Sequence, residues 1–336
     1  MKAIQRILDA NLDRGREGIR IIEEWCRFGL NNPDLAQKCK DLRQELASWH
    51  SLELRLARDT VGDRGTELSH PQEEKRGSLS HILQANLCRV QESLRVLEEY
   101  GKLYRPEMGE AFKQMRYRVY ILESDLLTIQ HCQQLQSCLL YLVTSPSPNL
   151  LTIVENALKG GLKLVQYRDK NANDIVRLSL GKQLCQLCHQ YKALFIMNDR
   201  ADLAAAVGAD GLHLGQQDIP IQLAREIVGS HCLIGRSTTN PEEMQKAITE
   251  GADYIGVGPV YATPTKPGKE AAGLDYVQYA AENATIPWFA IGGIDLENVA
   301  AVMQAGARQV AIVRGIMQAD DPQGMTQSLL SKLTQS

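Results

Sequence analysis

From about residue 137 the chain alternates short apolar runs with amphipathic stretches. The runs are SCLLYLVTS, LKLVQYRDK, ALFIMNDR, GLHLGQ, HCLIGRSTT, DYIGVGPV, IPWFAIGG and QVAIVRG. Their lengths and sharp ends predict strands. Between them lie segments such as PNLLTIVENALKGG, DIVRLSLGKQLCQLCHQY, NPEEMQKAITEG and LENVAAVMQAGA. Several end in glycine, the usual helix stop. Eight strand–helix units over about 200 residues predict an α/β fold, a (β/α)8 TIM barrel, with a six-stranded doubly wound sheet as the alternative.

Residues 1–130 carry a different pattern: helix-forming residues dominate and strand-like alternation is missing. RILDANLDRGREGIRIIEEWCRF (6–28) repeats as HILQANLCRVQESLRVLEEYGKL (81–103) at an offset of 75, so Asn11 matches Asn86, Arg14 matches Arg89, Arg20 matches Arg95 and Glu23 matches Glu98. Each copy is followed by a second helical stretch, LAQKCKDLRQELASWHS and MGEAFKQMRYRVYILES. Two helical hairpins predict a four-helix bundle. The chain therefore divides into an all-helical repeat domain, 1–130, and a barrel domain, 137–336.

Composition narrows the function. The 336 residues are 44% hydrophobic and 23% charged, as in an ordinary soluble protein, and the net charge of −3 gives no electrostatic case for nucleic acid or an anionic membrane. No apolar run reaches the roughly 18 residues of a spanning helix, and a signal-peptide core is missing. Eight cysteines scattered without framework spacing suit a reducing compartment, so a cytoplasmic location is expected. Cys185, Cys188 and His189 spell CxxCH, the haem-attachment pattern, but lie on the apolar stripe of a helical stretch and read as core thiols.

Polar residues collect where the barrel strands end, the face on which such barrels build their sites. In QYRDK, alternation puts Gln166, Arg168 and Lys170 on one side of an extended chain, two cations and an amide suited to a phosphorylated ligand. Asp199 and Asp218 follow neighbouring strands and offer oxygen ligands for Mg2+, which takes a few carboxylates plus substrate oxygens. Arg168, Lys170, Asn198 and Lys266 can surround a pyrophosphate on that metal. Gly292-Gly293 and the residues after the eighth strand, Val313-Arg314, suit a second phosphate held by backbone N–H groups, with Thr263 and Thr265 adding hydroxyls. Two anion sites, one with metal, point to two phosphorylated substrates meeting. Each feature also has a plainer reading: Asp199 as a helix cap, Lys266 as a solvated loop residue, Gly292-Gly293 as a tight turn. His213 in GLHLGQ is as compatible with a structural role as with a functional one.

QYRDK, MNDR, ADGLHLGQQD, GRSTTN, GVGPVYATPTK and AIGGI, in this order over residues 137–330, resemble the thiamine-phosphate synthase family. The resemblance implies a transferase that joins hydroxymethylpyrimidine pyrophosphate to a thiazole phosphate with Mg2+, giving thiamine phosphate and pyrophosphate. It carries the pyrimidine pyrophosphate onto the QYRDK stretch (Gln166, Tyr167, Arg168, Asp169, Lys170) with Asn198, Ser237 and Lys266. Of these, Arg168, Lys170, Ser237 and Lys266 are the catalytic set. The metal falls on Asp199 and Asp218, and the thiazole phosphate on Thr263, Thr265, Gly293, Val313 and Arg314. Arg314 departs from the small serine the family often has there; it is compatible if only the backbone N–H is used and obstructive if its side chain fills the pocket. An isomerase related to this family, which aromatises the thiazole, is the alternative; QYRDK, NDR and TPTK argue against it.

The helical part resembles a small domain found fused to, or encoded beside, such synthases and associated with hydroxymethylpyrimidine-phosphate kinase activity. That resemblance implies ATP as a further substrate, although neither common Gly-rich nucleotide loop is present. The first 130 residues hold 15 of the 22 arginines, and the polar stretch 55–80 brings Arg55, Arg58, Asp59, Asp63 and Arg64, a loop able to close over a phosphate. Arg14, Arg20, Arg89, Arg95, Asp59 and Asp63 are the candidate residues. A salt-bridged, non-catalytic binding or assembly module is the competing reading, and the oligomeric state stays open, a homo-oligomer included.

Overall fold

The computed structural model describes residues 1–59, 62, 77–262 and 270–335. The chain divides into two compact units, 1–126 and 127–336.

The first unit is helical: α1 (Lys2–Glu24), a π-helical turn (Trp25–Gly29), α2 (Pro33–Ser48), a short α3 (Leu52–Leu56), α4 (Leu79–Gly101) and the start of α5 (Pro106–Ser137). Asn32 caps α2 through the Leu35 amide with Pro33 following, and Ser78 caps α4 through the His81 amide. The core is the apolar stripe of each helix, including Leu8, Leu12, Ile19, Leu94, Leu97, Phe112 and Val119. Four long helices make the two expected hairpins; α3 is an addition.

The two repeat helices, α1 and α4, pack on each other. A Cβ on Gly18 would lie 2.7 Å from Val90 Cγ2, and one on Gly15 would meet Ser93 Cβ at 3.8 Å. Val90 and Ser93 are the repeat equivalents of Gly15 and Gly18, so the contact maps onto itself like an isologous dimer interface. The polar positions repeat as well. Asn11 and Asn86 each donate to the carbonyl four residues back, both at 2.8 Å. Buried Glu23 is held by Arg43 at 2.7 Å, and buried Glu98 by Arg95 at 2.9 Å and Arg116 at 3.0 Å.

The second unit is a closed parallel barrel of eight strands in sequence order. The strands are β1 (Leu140–Val143), β2 (Leu164–Tyr167), β3 (Leu194–Asn198), β4 (Gly211–Leu214), β5 (Leu233–Thr238), β6 (Tyr254–Val257), β7 (Trp288–Ile291) and β8 (Val310–Ile312). The intervening helices are α6 (Leu150–Lys159), α7 (Asp174–Gln190), α8 (Ala201–Val207), α9 (Ile221–Val228), α10 (Pro241–Thr249), α11 (Gly273–Asn283) and α12 (Val299–Gln304), followed by α13 (Arg314–Met317) and α14 (Pro322–Thr334). Closure of β1 on β8, with Leu140 opposite Val310, rules out the open sheet.

Alternation sorts the strands into two layers. Tyr141, Val143, Leu164, Leu194, Ile196, Tyr254 and Phe289 fill the interior, with Leu135 and Cys138 joining them. Leu142, Val165, Tyr167, Phe195, Met197, Leu212 and Ile234 face the helices. Cys185 and Cys188 belong to that outer core, so the CxxCH stretch is a packed face of α7.

Candidate active site at the mouth of the barrel

Strand β2 aims its alternate residues into the barrel. Gln166 is 3% exposed, and its Nε2 donates to Tyr141 Oη at 2.6 Å. Arg168 and Lys170 continue the same side and line a cavity of about 370 Å³. Among the described residues the Arg168 and Asn198 side chains make no hydrogen bond or ion pair, so both heads stand ready for a ligand. Tyr167 and Asp169, carried along with the motif, do not line the cavity. Tyr167 is packed between the sheet and the helices, and the Asp169 carboxylate accepts from the Asn171 and Ala172 amides at 2.9 and 3.0 Å. The reason is the two-residue period that brings their neighbours together.

The carboxylates follow β3 and β4. Asp199 adopts a left-handed backbone, φ 63°, a conformation that places side chains at functional sites at some cost. It is not a helix cap, because Arg200 holds the cap position before α8 and no side chain caps that helix. Its Oδ2 lies 3.3 Å from Lys170 Nζ. Asp218 is oriented by the Gly215 amide, which donates to Oδ2 at 2.6 Å. Burial pushes the Asp218 carboxyl above the usual carboxylate range; the Gly215 amide opposes that, while a hydrogen bond to Asp199 and its charge add to it. Two carboxylates this close, with one ammonium beside them, make it costly to ionise both. Among the described residues there is no cluster of three or more His, Cys, Asp or Glu suited to a metal.

Inside the barrel a chain of hydrogen bonds crosses from strand to strand. From Gln166 it passes through Tyr141 Oη to Tyr254 Oη at 2.9 Å, to His213 Nδ1 at 3.1 Å, and from His213 Nε2 to Ser237 Oγ at 3.0 Å. Burial drives both tyrosine pKa values upward, so the hydroxyls stay protonated. His213 thus holds Ser237 and Tyr254 together. Tyr141 and Tyr254 were not among the residues expected from sequence. The signal was present, since alternation turns both inward, but a tyrosine in an apolar strand reads as core.

Across the mouth from β2–β4, the ends of β7 and β8 bring backbone. Gly292 has φ 104°, and a Cβ there would lie 2.5 Å from Pro259 Cα, so only glycine fits. Gly292, Gly293, Val313, Arg314 and Gly315 line the cavity, joined by Asp295 and Gln318, which sequence reasoning did not pick out. Arg314 lines the cavity yet is exposed, and among the described residues its guanidinium has no partner. Ser237, on β5, lines the same cavity. Thr263, Thr265 and Lys266 lie outside the described residues, as do Asp63 and Arg64.

In the helical unit, Arg20 pairs with Glu23 and Glu24, and Arg95 with Glu98 and Glu99, on their own helices. Arg89 donates to Asn86 Oδ1, and Asp59 pairs with Arg6. These are the ion-paired faces of the competing reading. Arg58 differs, reaching both Asp9 and Asp13 on α1.

Comparison with known proteins agrees with this layout. The thiamine monophosphate synthase family model matches residues 140–316, and the ThiD2 family model matches residues 6–125. The thiamine-phosphate synthase of Nostoc sp. (strain PCC 7120) is 67% identical, covering 99% of this chain and 95% of that protein. That of Synechocystis sp. (strain PCC 6803) is 65% identical, covering 99% and 97%. The structure of thiamine phosphate pyrophosphorylase from Pyrococcus furiosus superposes with a TM-score of 0.55 at 35% identity, over 60% of this chain and 98% of that one. With a closed barrel, a charged and glycine-lined mouth, and near-full-length relatives at this identity, the chain belongs to the thiamine-phosphate synthase family of transferases.

Proposed function

We propose that the barrel joins 4-amino-2-methyl-5-hydroxymethylpyrimidine pyrophosphate to 4-methyl-5-(2-phosphoethyl)thiazole, releasing thiamine phosphate and pyrophosphate. The observation that carries this is one cavity with Arg168, Lys170 and Asp199 on one arc and the Gly292-Gly293 and Val313–Gly315 backbone on the other. Two phosphorylated substrates then meet inside a single mouth.

In this reading the carbon–oxygen bond between the pyrimidine methylene and the pyrophosphate breaks first. The electron pair leaves with the pyrophosphate, and the amino-substituted ring carries the positive charge. Arg168, Lys170 and Asn198 hold the departing oxygens, and Lys266 is assigned to the same task. Asp199 and Asp218 would hold Mg2+, which supplies positive charge at those oxygens when bound. Gln166 and Ser237, fixed through Tyr141, Tyr254 and His213, orient the pyrimidine. Gly293, the Val313-Arg314 backbone, Thr263 and Thr265 hold the thiazole phosphate so that the thiazole nitrogen attacks the methylene carbon. No side chain needs to act as nucleophile or base.

For the helical unit, the ThiD2 match supports a kinase that phosphorylates hydroxymethylpyrimidine monophosphate with ATP, supplying the barrel's substrate. No helix of the described residues is long and apolar enough to cross a membrane; we place these steps in the cytoplasm. The test feeds the intact protein pyrimidine monophosphate, thiazole phosphate, ATP and Mg2+, and in parallel the pyrimidine pyrophosphate without ATP. Thiamine phosphate in both is the expected result. Product only from the pyrophosphate removes the kinase step and leaves the helical unit as a binding or assembly module; product in neither overturns the barrel mechanism.

A further inference from the structure

We infer that the helical unit carries its own ligand site, built from Asp9, Asp13, Arg16, His50 and Arg58, for a phosphate monoester that also presents a hydrogen-bond donor. This deepens the kinase reading of that unit and rests on it for the identity of the ligand.

Among the described residues, six buried side-chain polar atoms lack a hydrogen bond, and four of them are here: Asp9 Oδ1, Arg16 Nε, and Nδ1 and Nε2 of His50. Buried polar groups are nearly always satisfied, because leaving one unpaired costs its full desolvation penalty. Four in one place mark a site whose partners come from outside the chain.

The geometry holds these groups on fixed elements. The His50 side chain is 4% exposed, with Nδ1 3.9 Å from Asp9 Oδ1 and Nε2 3.3 Å from Asp13 Oδ1. Burial, the largest influence, lowers the His50 pKa, so the ring is neutral at pH 7 and forms no ion pair with either aspartate. Just beyond it, Ser51 caps α3 through the Leu54 amide at 3.2 Å, and Glu53 is clasped by Gln5 at 2.5 Å and Tyr104 at 2.6 Å. Asp9 is 2% exposed and takes Arg58 Nε at 2.6 Å on its other oxygen. Arg58, 49% exposed, and Asp13, 32% exposed, form the side open to solvent.

The unmet groups define the ligand. Arg16 Nε–H, and those N–H groups of Arg58 that Asp9 and Asp13 do not take, offer donors to phosphate oxygens. Asp9 Oδ1 asks for an N–H or O–H, and a neutral imidazole supplies one donor and one acceptor. A phosphorylated aminopyrimidine meets all of these, with its exocyclic amine, ring nitrogens and phosphate. ATP shares the same chemistry, so the experiment compares the two.

Histidine-labelled full-length protein would be followed by NMR, with the His50 imidazole resonances assigned from H50Q. Hydroxymethylpyrimidine monophosphate, ATP and inorganic phosphate are added separately. The expected result is a saturable shift of the His50 resonances with the pyrimidine phosphate. Asp9→Asn should weaken that binding about tenfold or more, while synthase turnover from supplied pyrimidine pyrophosphate and the melting temperature stay near wild type. Unmoved His50 resonances with pyrimidine phosphate and with ATP overturn the site, whatever the ATP turnover. A shift with ATP alone keeps the site and reassigns it to the nucleotide. An equal shift with inorganic phosphate overturns the donor half of the assignment. A His50 shift without ATP turnover keeps the site and overturns the kinase reading.

Discussion

Lys170 sets its ammonium 3.3 Å from the Asp199 carboxylate, joining the cationic end of β2 to the anionic end of β3. One ammonium leaves the Asp199–Asp218 pair short of positive charge. Asp199→Asn and Asp218→Asn are each expected to lower synthase turnover by about 100-fold or more, measured as pyrophosphate release at saturating Mg2+. Near-normal turnover in both removes the metal from this pair.

Arg168 lines the cavity, and its side chain has no partner among the described residues. Arg168→Ala should weaken binding of the pyrimidine pyrophosphate by about 2–4 kcal/mol in calorimetry, as for one member of a desolvated charge pair. Unchanged affinity would take Arg168 out of the site.

Tyr141 Oη is the junction between Gln166 and Tyr254. Tyr141→Phe leaves both partners short of a hydrogen bond inside the barrel, which should destabilise it by about 1–3 kcal/mol in denaturant unfolding. It should also raise KM for the pyrimidine substrate by releasing Gln166. A variant as stable as wild type with unchanged KM would show the network to be dispensable.

At the opposite end of the barrel, His189 on α7 meets Asp210 at 3.0 Å, and that hydrogen bond lifts its pKa from 6.5 to about 10. A raised folded-state pKa stabilises the protonated form. The contribution is therefore complete below about pH 6.5 and fades as pH rises toward 10. His189 is half exposed, so solvent screening keeps the effect below about 1 kcal/mol. His189→Gln should lower the melting temperature near pH 6 and have little effect above pH 10; a loss that grows with pH contradicts the pairing.

Residues 127–336 have their own core, with Leu135 of the last turn of α5 and Cys138 just after it packed among the barrel's interior residues. A chain truncated to 127–336 should fold and keep synthase turnover from pyrimidine pyrophosphate within about threefold, with its own cooperative unfolding. An insoluble or inactive product would show that the barrel depends on the helical unit.

The sequence alone determined what local periodicity encodes. Eight apolar runs gave the barrel, glycine marked helix ends, and the repeat at offset 75 gave the helical hairpins. Within QYRDK the same period put Gln166, Arg168 and Lys170 on one side, and it should have excluded Tyr167 and Asp169 from the substrate set. What only the tertiary structure decided are relationships between residues distant in the chain. Tyr141 and Tyr254 are 113 positions apart and share a hydrogen bond because closure of the barrel points both inward. His50, an unremarked residue after α2, became a candidate only when the fold set it between Asp9 and Asp13 without a hydrogen bond. Alternation and helical period fix which face a side chain takes; which side chain from elsewhere meets it there depends on closure and packing, and those are properties of the whole chain.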